Sequence, residues 1–379
     1  MKITIVLGAF FPVPPTMGGA VEKVWFALAA EFARRGHNVT SISRAMPQLP
    51  DRETIAGVQH WRVRGFDTPG SIIWLKVLDL LYSLRVKRRL PPADIIVTNT
   101  FWLPILLRTS SRGQVYVHIG RFPKGQIRFY GSAARLQAPS RAVAQAVKDE
   151  LPRFEAKVTV IPYPRIESNE CDARHAPSVR DKTILFVGRV HPEKGVHLLM
   201  KAFVEAPPSL FSGWKLQIVG PTAHKYGGGG AKYLRQLSKA AEAADAATVE
   251  LCGAIFDPAA LAERYRAAQI FVYPSLAQKG ESFGLAPLEA MAHACTVLVS
   301  DLACFHDFVI DGQTGMIFNQ LEADPVKALR TKMADLVGDD SARSRIGEAG
   351  YRKSLEYSLP KVADQFLADF ERLLSPADG

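Results

Sequence analysis

The sequence predicts two doubly wound α/β domains, and three observations predict it. Short apolar, β-branched runs alternate with helical stretches along nearly the whole chain. The alternation comes in two blocks, parted by the polar, aperiodic "YPRIESNECDARHAPSVRDK" (163–182). A length of 379 residues also suits two domains of ordinary size. The expected boundaries are 1–165, a linker at 166–182, and 183–358.

In the first block "ITIVL" (3–7) is a strand followed by a Gly/Pro-rich loop. In "AVEKVWFALAAEFARRG" the residues Val21, Val24, Trp25, Leu28, Ala29 and Phe32 share one helix face, and Gly36 closes the helix. Residues 38–43, 94–99, 114–119 and 157–162 are further strands, apolar enough for burial on both faces of a parallel sheet. The second block repeats the pattern with strands at 183–188, 215–220, 248–253, 270–275 and 296–301, and a helix from about 195. The run "GGGG" (227–230) reads as a mobile loop.

A mean hydropathy of +0.01, with 47% hydrophobic and 22% charged residues, is ordinary globular composition. The opening "MKITIVLGAFFPVPP" has too brief an apolar run for a secretion signal, and no run reaches the ~18 residues of a membrane span. A cytoplasmic location is therefore expected. The cysteines, Cys171, Cys252, Cys295 and Cys304, form no C-x-x-C pair, and the histidines lack ligand spacing, so free thiols and no metal site are expected. Charge is uneven. Residues 1–165 carry 24 Lys+Arg against 10 Asp+Glu, and the remainder 23 against 27. The first half thus suits an anionic partner: nucleic acid, a membrane surface or a phosphorylated substrate.

In open α/β sheets ligands bind beyond the carboxyl ends of the strands, and four features stand there. Gly18-Gly19 precede the first helix, where backbone can approach an anion; a simple tight turn is the plainer alternative. "GRVHPEKG" sets Arg189 and Lys194 around a proline turn at a helix start, which suits a diphosphate, although solvated surface charges would look alike. "VYVHIGRFPKGQ" puts His118 at a strand end, with Arg121 and Lys124 on the loop beyond; a structural histidine is as good a reading as a catalytic one. In "IFVYPSLAQKGESFGLAPLEAMA", Glu281 lies on a loop and Glu289 on a helix with Pro287 in its first turn. The N–H groups around Ser282, Phe283, Gly284 and Leu285 suit phosphate, and the carboxylates suit hydroxyls.

These residues in this order resemble the retaining glycosyltransferases of the GT-B fold, glycosyltransferase family 4, over nearly the whole chain. "MGGAVEKVWFALAAEFARRGHNVT" looks like the family's glycine loop and helix, and "FVGRVHPEKGVHLLMKAF" like its phosphate turn. "VELCGAIFDPAALAERYRAAQIFVYPS" with "ESFGLAPLEAMAHACTVLVSD" looks like its nucleotide-binding core. The resemblance implies two Rossmann-like domains facing across a cleft. The first, 1–165, binds acceptor and is joined by a C-terminal helix at about 360–379; the second, 183–358, binds donor. It implies that Glu281 holds the donor sugar's hydroxyls and Glu289 the ribose. Arg189 and Lys194, beside Gly188, neutralise the diphosphate. The N–H groups of Phe283, Gly284 and Leu285, with Gly19 beside Gly18, complete the phosphate cradle. Gly253 and Ile255 meet the base, and His118 sits near donor sugar and acceptor.

The implied reaction needs no metal or cofactor. It moves a sugar from a nucleoside-diphosphate sugar, UDP- or GDP-linked, to a hydroxyl of a glycan or lipid-linked acceptor by front-face attack, in cell-surface glycan synthesis. "HIGRFPKGQIRFYG" departs from the family's more usual His-Asp and sets the acceptor side apart, where Arg121 and Lys124 are candidates for an acceptor phosphate. A GT-B epimerase or phosphorylase, or a non-catalytic binding protein, stays open; the lack of an aromatic-plus-basic RNA-binding motif speaks against nucleic acid. Finally, "SIIWLKVLDLLYSLRVKRRLPP" (71–92) is either a core helix with a solvated end or a basic amphipathic helix for an anionic bilayer, which would make the enzyme peripheral on the cytoplasmic face of the membrane.

Overall fold

The computed structural model describes residues 1–108, 112–166, 180–243 and 249–375. Most of the expected linker, with Cys171, lies outside them. The chain falls into two units, Met1–Pro164 with Ser358–Gly379, and Arg165–Tyr357.

Unit 1 runs β1 (Lys2–Val6), α1 (Ala20–Arg34), β2 (Asn38–Arg44), β3 (Arg52–Ile55), β4 (Val58–Val63), α2 (Ile72–Arg89), β5 (Ile95–Thr98), α3 (Leu103–Leu106), β6 (Gln114–His118), β7 (Arg135–Ala138), α4 (Arg141–Glu150) and β8 (Val158–Val160). The sheet order is β3-β4-β2-β1-β5-β6-β7-β8. All pairs are parallel except the β3–β4 hairpin. Order reverses at β1, which is buried along four of its five residues because helices cover both faces.

Unit 2 runs β9 (Asp181–Val187), α5 (Val196–Val204), β10 (Lys215–Val219), α6 (Gly230–Ala243), β11 (Val249–Gly253), α7 (Pro258–Ala267), β12 (Ala268–Tyr273), α8 (Leu285–Ala292), β13 (Thr296–Ser300), β14 (Met316–Phe318), α9 (Pro325–Gly338) and α10 (Asp340–Ser354). Its sheet is wholly parallel, in the order β11-β10-β9-β12-β13-β14, which reverses between β9 and β12.

The last helix, α11 (Leu359–Leu374), belongs to unit 1. Its Phe366 and Phe370 rings lie 5.0 Å from Trp25 and 4.9 Å from Tyr116. Buried Asp369 accepts from the Tyr116 hydroxyl (3.0 Å) and pairs with Arg135 (3.0 Å). An acid on that apolar face is tolerated because it is both hydrogen-bonded and paired.

Four strands escape the sequence reading: β3, β4, β7 and β14. The β3–β4 hairpin turns on Ala56-Gly57, both at positive φ (49° and 80°). Such a turn normally announces itself as Asn-Gly or Asp-Gly, and alanine gives no such signal. β7 and β14 have only four and three residues, too few for a period-2 pattern to show.

Candidate active site

In unit 2, β9 and β12 are neighbours at the point where strand order reverses, so their carboxyl ends open onto one place. Beyond β9 the chain passes Gly188 and Arg189 into a single 3-10 turn, Pro192–Lys194, then through Gly195 into α5. Gly195 has φ 68°, and a Cβ there would lie 1.9 Å from the Pro274 carbonyl oxygen, so only glycine lets this turn close against the end of β12. The Leu276 N–H donates to the Glu193 carbonyl (2.8 Å) and locks the two strand ends together. That packing buries the Lys194 side chain.

Beyond β12, Ser275 and a turn at 277–281, closed by the Glu281 N–H on the Ala277 carbonyl (2.9 Å), bring Glu281 back beneath the loop. The Lys194 ammonium donates to Glu281 Oε2 at 2.6 Å, and the Ser275 hydroxyl donates to the same oxygen at 3.1 Å. Both charged residues are buried. Burial alone would push the Lys194 pKa down, but the neighbouring Tyr273 and Glu281 more than offset it, so Lys194 ends above its ordinary value and stays charged. Cys304 is buried beside this pair; burial first, then Glu281 and Asp307, push its thiol well up, which leaves it neutral and unreactive.

The loop then reaches α8 through Gly284, at φ 96°, where a Cβ would meet the Phe305 ring at 2.4 Å. Phe283 is fully buried against Phe308, and Leu285 opens the helix. The first N–H groups of a helix have no partner within it and favour an anion. One turn on, Glu289 is buried and accepts from the Tyr265 hydroxyl (3.3 Å).

Arg189 does not join Lys194 and Glu281. Its guanidinium pairs with Glu193 (2.5 Å) and donates to the Gly227 carbonyl (2.8 Å). The 227–230 run is correspondingly held: the N–H groups of Gly228, Gly229 and Gly230 reach the carbonyls of Ala223, Val190 and Thr222. The reading of this run as a mobile loop is corrected on that account; glycines stand here because neighbouring backbone and side chains leave no room for a Cβ at 228–230. Gly253 ends β11 exposed to solvent, its carbonyl accepting from the Gly220 N–H (2.7 Å), and Ile255 is half-buried two residues on.

In unit 1 the chain enters α1 through Gly18 and Gly19, at φ 80° and 100°. His118, at the end of β6, is buried. Its Nδ1 meets Gln137 Oε1 (2.5 Å), whose amide is oriented by the Ile161 carbonyl, and its Nε2 meets the Tyr163 hydroxyl (3.0 Å). Burial pushes its pKa down to about 4, so the ring is neutral and fixed. Nε2 lies only 3.0 Å from where a Cβ on Gly120 would be, so the ring directly underlies the turn that carries Arg121. Arg121 and Lys124 are both exposed. Their loop is anchored by Glu150, which accepts from the N–H groups of Gly125 (2.8 Å) and Ile127 (3.1 Å).

Sequence reasoning missed Glu22. Its carboxylate folds back over Gly19, where an added Cβ would touch Oε2 at 2.2 Å. The residue is buried at the mouth of α1. Burial raises its pKa from 4.5 to about 7, with its own N–H and Arg121 pulling the other way. A glutamate three residues past an N-cap is a common capping position, so nothing in the sequence set it apart.

The sign of its effect on stability follows from that pKa. Between pH 4.5 and 7 the unfolded chain gives up the Glu22 proton while the folded chain keeps it, so stability falls with rising pH, and the loss is complete above about 7. The gap corresponds to roughly 3 kcal/mol. Glu22→Gln should therefore melt above the parent at pH 8 and close to it at pH 4.5; a melting difference that does not grow with pH would contradict this.

The fold and these strand ends define a class: two-unit α/β proteins with a buried cation–carboxylate pair at the switch point of the second sheet. Two family models divide the chain between them. The Glycosyltransferase Family 4 model matches residues 17–164, and the Glycosyl transferases group 1 model matches residues 168–353. The chain belongs to this family of glycosyltransferases, whose fold is GT-B. A phosphatidyl-myo-inositol mannosyltransferase of Mycobacterium leprae is 29% identical over 50% of this chain, and the match spans 46% of that protein. Sucrose-phosphate synthase of Thermosynechococcus elongatus shares the fold at a TM-score of 0.80, with 19% identity over all of both chains. Anabaena Alr3699/HepE, solved with UDP and glucose, superposes at 0.69, with 16% identity over 98% of this chain and 99% of its own.

Proposed function

We propose that the protein transfers a sugar, with retention of anomeric configuration, from a UDP- or GDP-linked donor to a hydroxyl of a glycan or lipid-linked acceptor in cell-surface glycan synthesis. The observation that carries this reading is the buried Lys194–Glu281 pair at the carboxyl ends of two adjacent parallel strands. A charged lysine kept beside a carboxylate provides a cation for a diphosphate and a strong acceptor for sugar hydroxyls in one place. The names of the relatives, a mannosyltransferase and a protein solved with UDP and glucose, support the donor class.

In this reading the bond between the anomeric carbon and the diphosphate oxygen breaks as the acceptor oxygen attacks on the same face. The acceptor proton passes to the departing phosphate oxygen. Lys194 and the N–H groups opening α8 stabilise the charge that builds on the diphosphate. Glu281 holds the sugar's hydroxyls and Glu289 the ribose. His118, neutral and fixed, supports the Gly120-Arg121 turn rather than moving a proton, and Arg121 with Lys124 meets an acceptor anion.

The test is a panel of nucleoside diphosphates and their sugars. A cognate diphosphate at about 100 times its Kd should add about 2.7 kcal/mol to folding stability, read as a raised melting temperature. Product formed with that donor should keep the donor's anomeric configuration by proton NMR, and turnover should persist in EDTA. An inverted product or loss of turnover in EDTA would overturn the mechanism, and an epimerised nucleotide sugar released without acceptor would overturn the transfer reading.

A further inference from the structure

α2 wears its polarity inside out. Its buried residues are Asp79, Tyr82, Ser83 and Val86. Ile73, Val77, Leu81 and Leu84, at i, i+4, i+8 and i+11, form one stripe on the open side, with Trp74 beside it. Ile73 is 72% exposed and Trp74 60%, and the other three are about 40% exposed. A helix packed only for its own unit would turn this stripe inward.

The inversion has a local cause. The Asp79 carboxylate accepts from the N–H groups of Phe101 (3.1 Å) and Trp102 (3.2 Å), and the Trp102 indole donates to the Lys76 carbonyl (2.9 Å). These bonds fix the rotation of α2 on the sheet. Asp79 is the only acid of α2, and it is buried.

The cations around the stripe are uncompensated. Arg85, Lys87 and Arg89 donate to the carbonyls of Arg64, Leu106 and Arg62, which leaves their charge intact, and Arg88 is exposed. Among the described residues none of these four pairs with a carboxylate. The patch continues past the N-terminal half of α2. Lys76 lies over the Phe101 ring (4.9 Å), Phe101 meets Phe129 (6.3 Å), and Arg128 lies over Phe129 (4.8 Å). Phe129 is half-exposed on the loop that carries Arg121 and Lys124.

We propose that α2 lies flat on an anionic phospholipid surface, its Ile73–Trp74–Val77–Leu81–Leu84 stripe in the acyl boundary and its cations at the headgroups, with Phe129 as a second point of entry. Eighteen residues give a contact about 27 Å long. No helix among the described residues is long and apolar enough to cross a membrane, so the contact is interfacial. A second copy of the chain would bring the same cations and no carboxylate from α2 to meet them, whereas an anionic bilayer answers both the apolar stripe and the charge. The inference stands whether or not the donor reading holds, but it would carry the acceptor loop to the source of a lipid-linked acceptor.

The test is flotation of the full chain with phosphatidylcholine vesicles, with and without phosphatidylglycerol, alongside light scattering in solution. The parent should float only with the mixed vesicles and release as salt rises. Trp74→Gln/Leu81→Gln should bind at least about tenfold more weakly with an unchanged melting temperature, since both side chains already face out. Arg88→Gln/Arg89→Gln should weaken binding about tenfold or more and flatten its salt dependence. Failure to bind either vesicle, binding that survives both double variants, or a dimer that the apolar variant splits without any vesicle binding would overturn the proposal.

Discussion

Glu281→Gln should cut sugar transfer by two to three orders of magnitude and at the same time lower stability by about 3 kcal/mol. In the proposed reaction the first effect follows from losing a charged acceptor for the sugar's hydroxyls, where removing one well-placed partner costs about that much in turnover. The second follows from Lys194. Its ammonium is buried and has Glu281 as its charged partner at 2.6 Å. Taking away one half of a buried pair strands the other, at roughly 3–5 kcal/mol; the amide oxygen of glutamine still accepts a hydrogen bond and holds the cost to the low end. Thermal melting and turnover under saturating donor read the two effects separately. Lys194→Met/Glu281→Met should recover much of the stability, because neither charge is left unmatched, yet stay as inactive as the single variant. A double variant that regained turnover would show the pair to be structural only.

Gly195→Ala should be nearly as damaging through geometry alone. The left-handed conformation costs alanine about 1 kcal/mol, and its Cβ would lie 1.9 Å from the Pro274 carbonyl oxygen, a backbone atom that cannot swing away. The turn at Pro192–Lys194 must then part from the end of β12, and Lys194 moves with it. A displacement of about 1 Å at a reacting centre costs on the order of 100-fold in rate, and the strain should lower stability by several kcal/mol. Gly213→Ala is the control. Gly213 also has positive φ (76°), but nothing lies within 4 Å of its added Cβ, so it should lose about 1 kcal/mol and no turnover. Equal effects at 195 and 213 would rule out the close approach as the cause.

The parallel strands were legible because burial on both faces leaves an unmistakable mark, as in "ITIVL" and "TVLVSD". The boundaries shifted by one or two residues, as at β12, which begins at Ala268 rather than 270. The hairpin, β7 and β14 were not legible, because their signals are a turn dipeptide and a period that these residues do not display. At the site, Lys194 and Glu281 could be picked out singly from strand-end position, but their pairing depends on a close approach between two loops 87 residues apart. Arg189 shows the converse: the same turn that offers a cation also supplies Glu193, four residues on, to hold it. His118 was visible, but the engagement of both ring nitrogens depends on Gln137 and Tyr163, which drew no notice as sequence. The basic character of α2 was readable too. Which side its apolar residues take was not, since that is decided by a carboxylate capping the start of the next helix.

The return of α11 to unit 1 sets the order in which the molecule can be completed. Trp25, Phe32 and Tyr116 emerge from the ribosome well before the rings that cover them, Phe366 and Phe370. All of unit 2 is synthesised in between. At about 5–20 residues per second that interval is roughly 10–40 s. Throughout it the first unit carries an open aromatic face beside a strand bearing an unanswered Arg135, a natural stretch for a chaperone to hold. Synthesis therefore closes the first unit only after the second has been made.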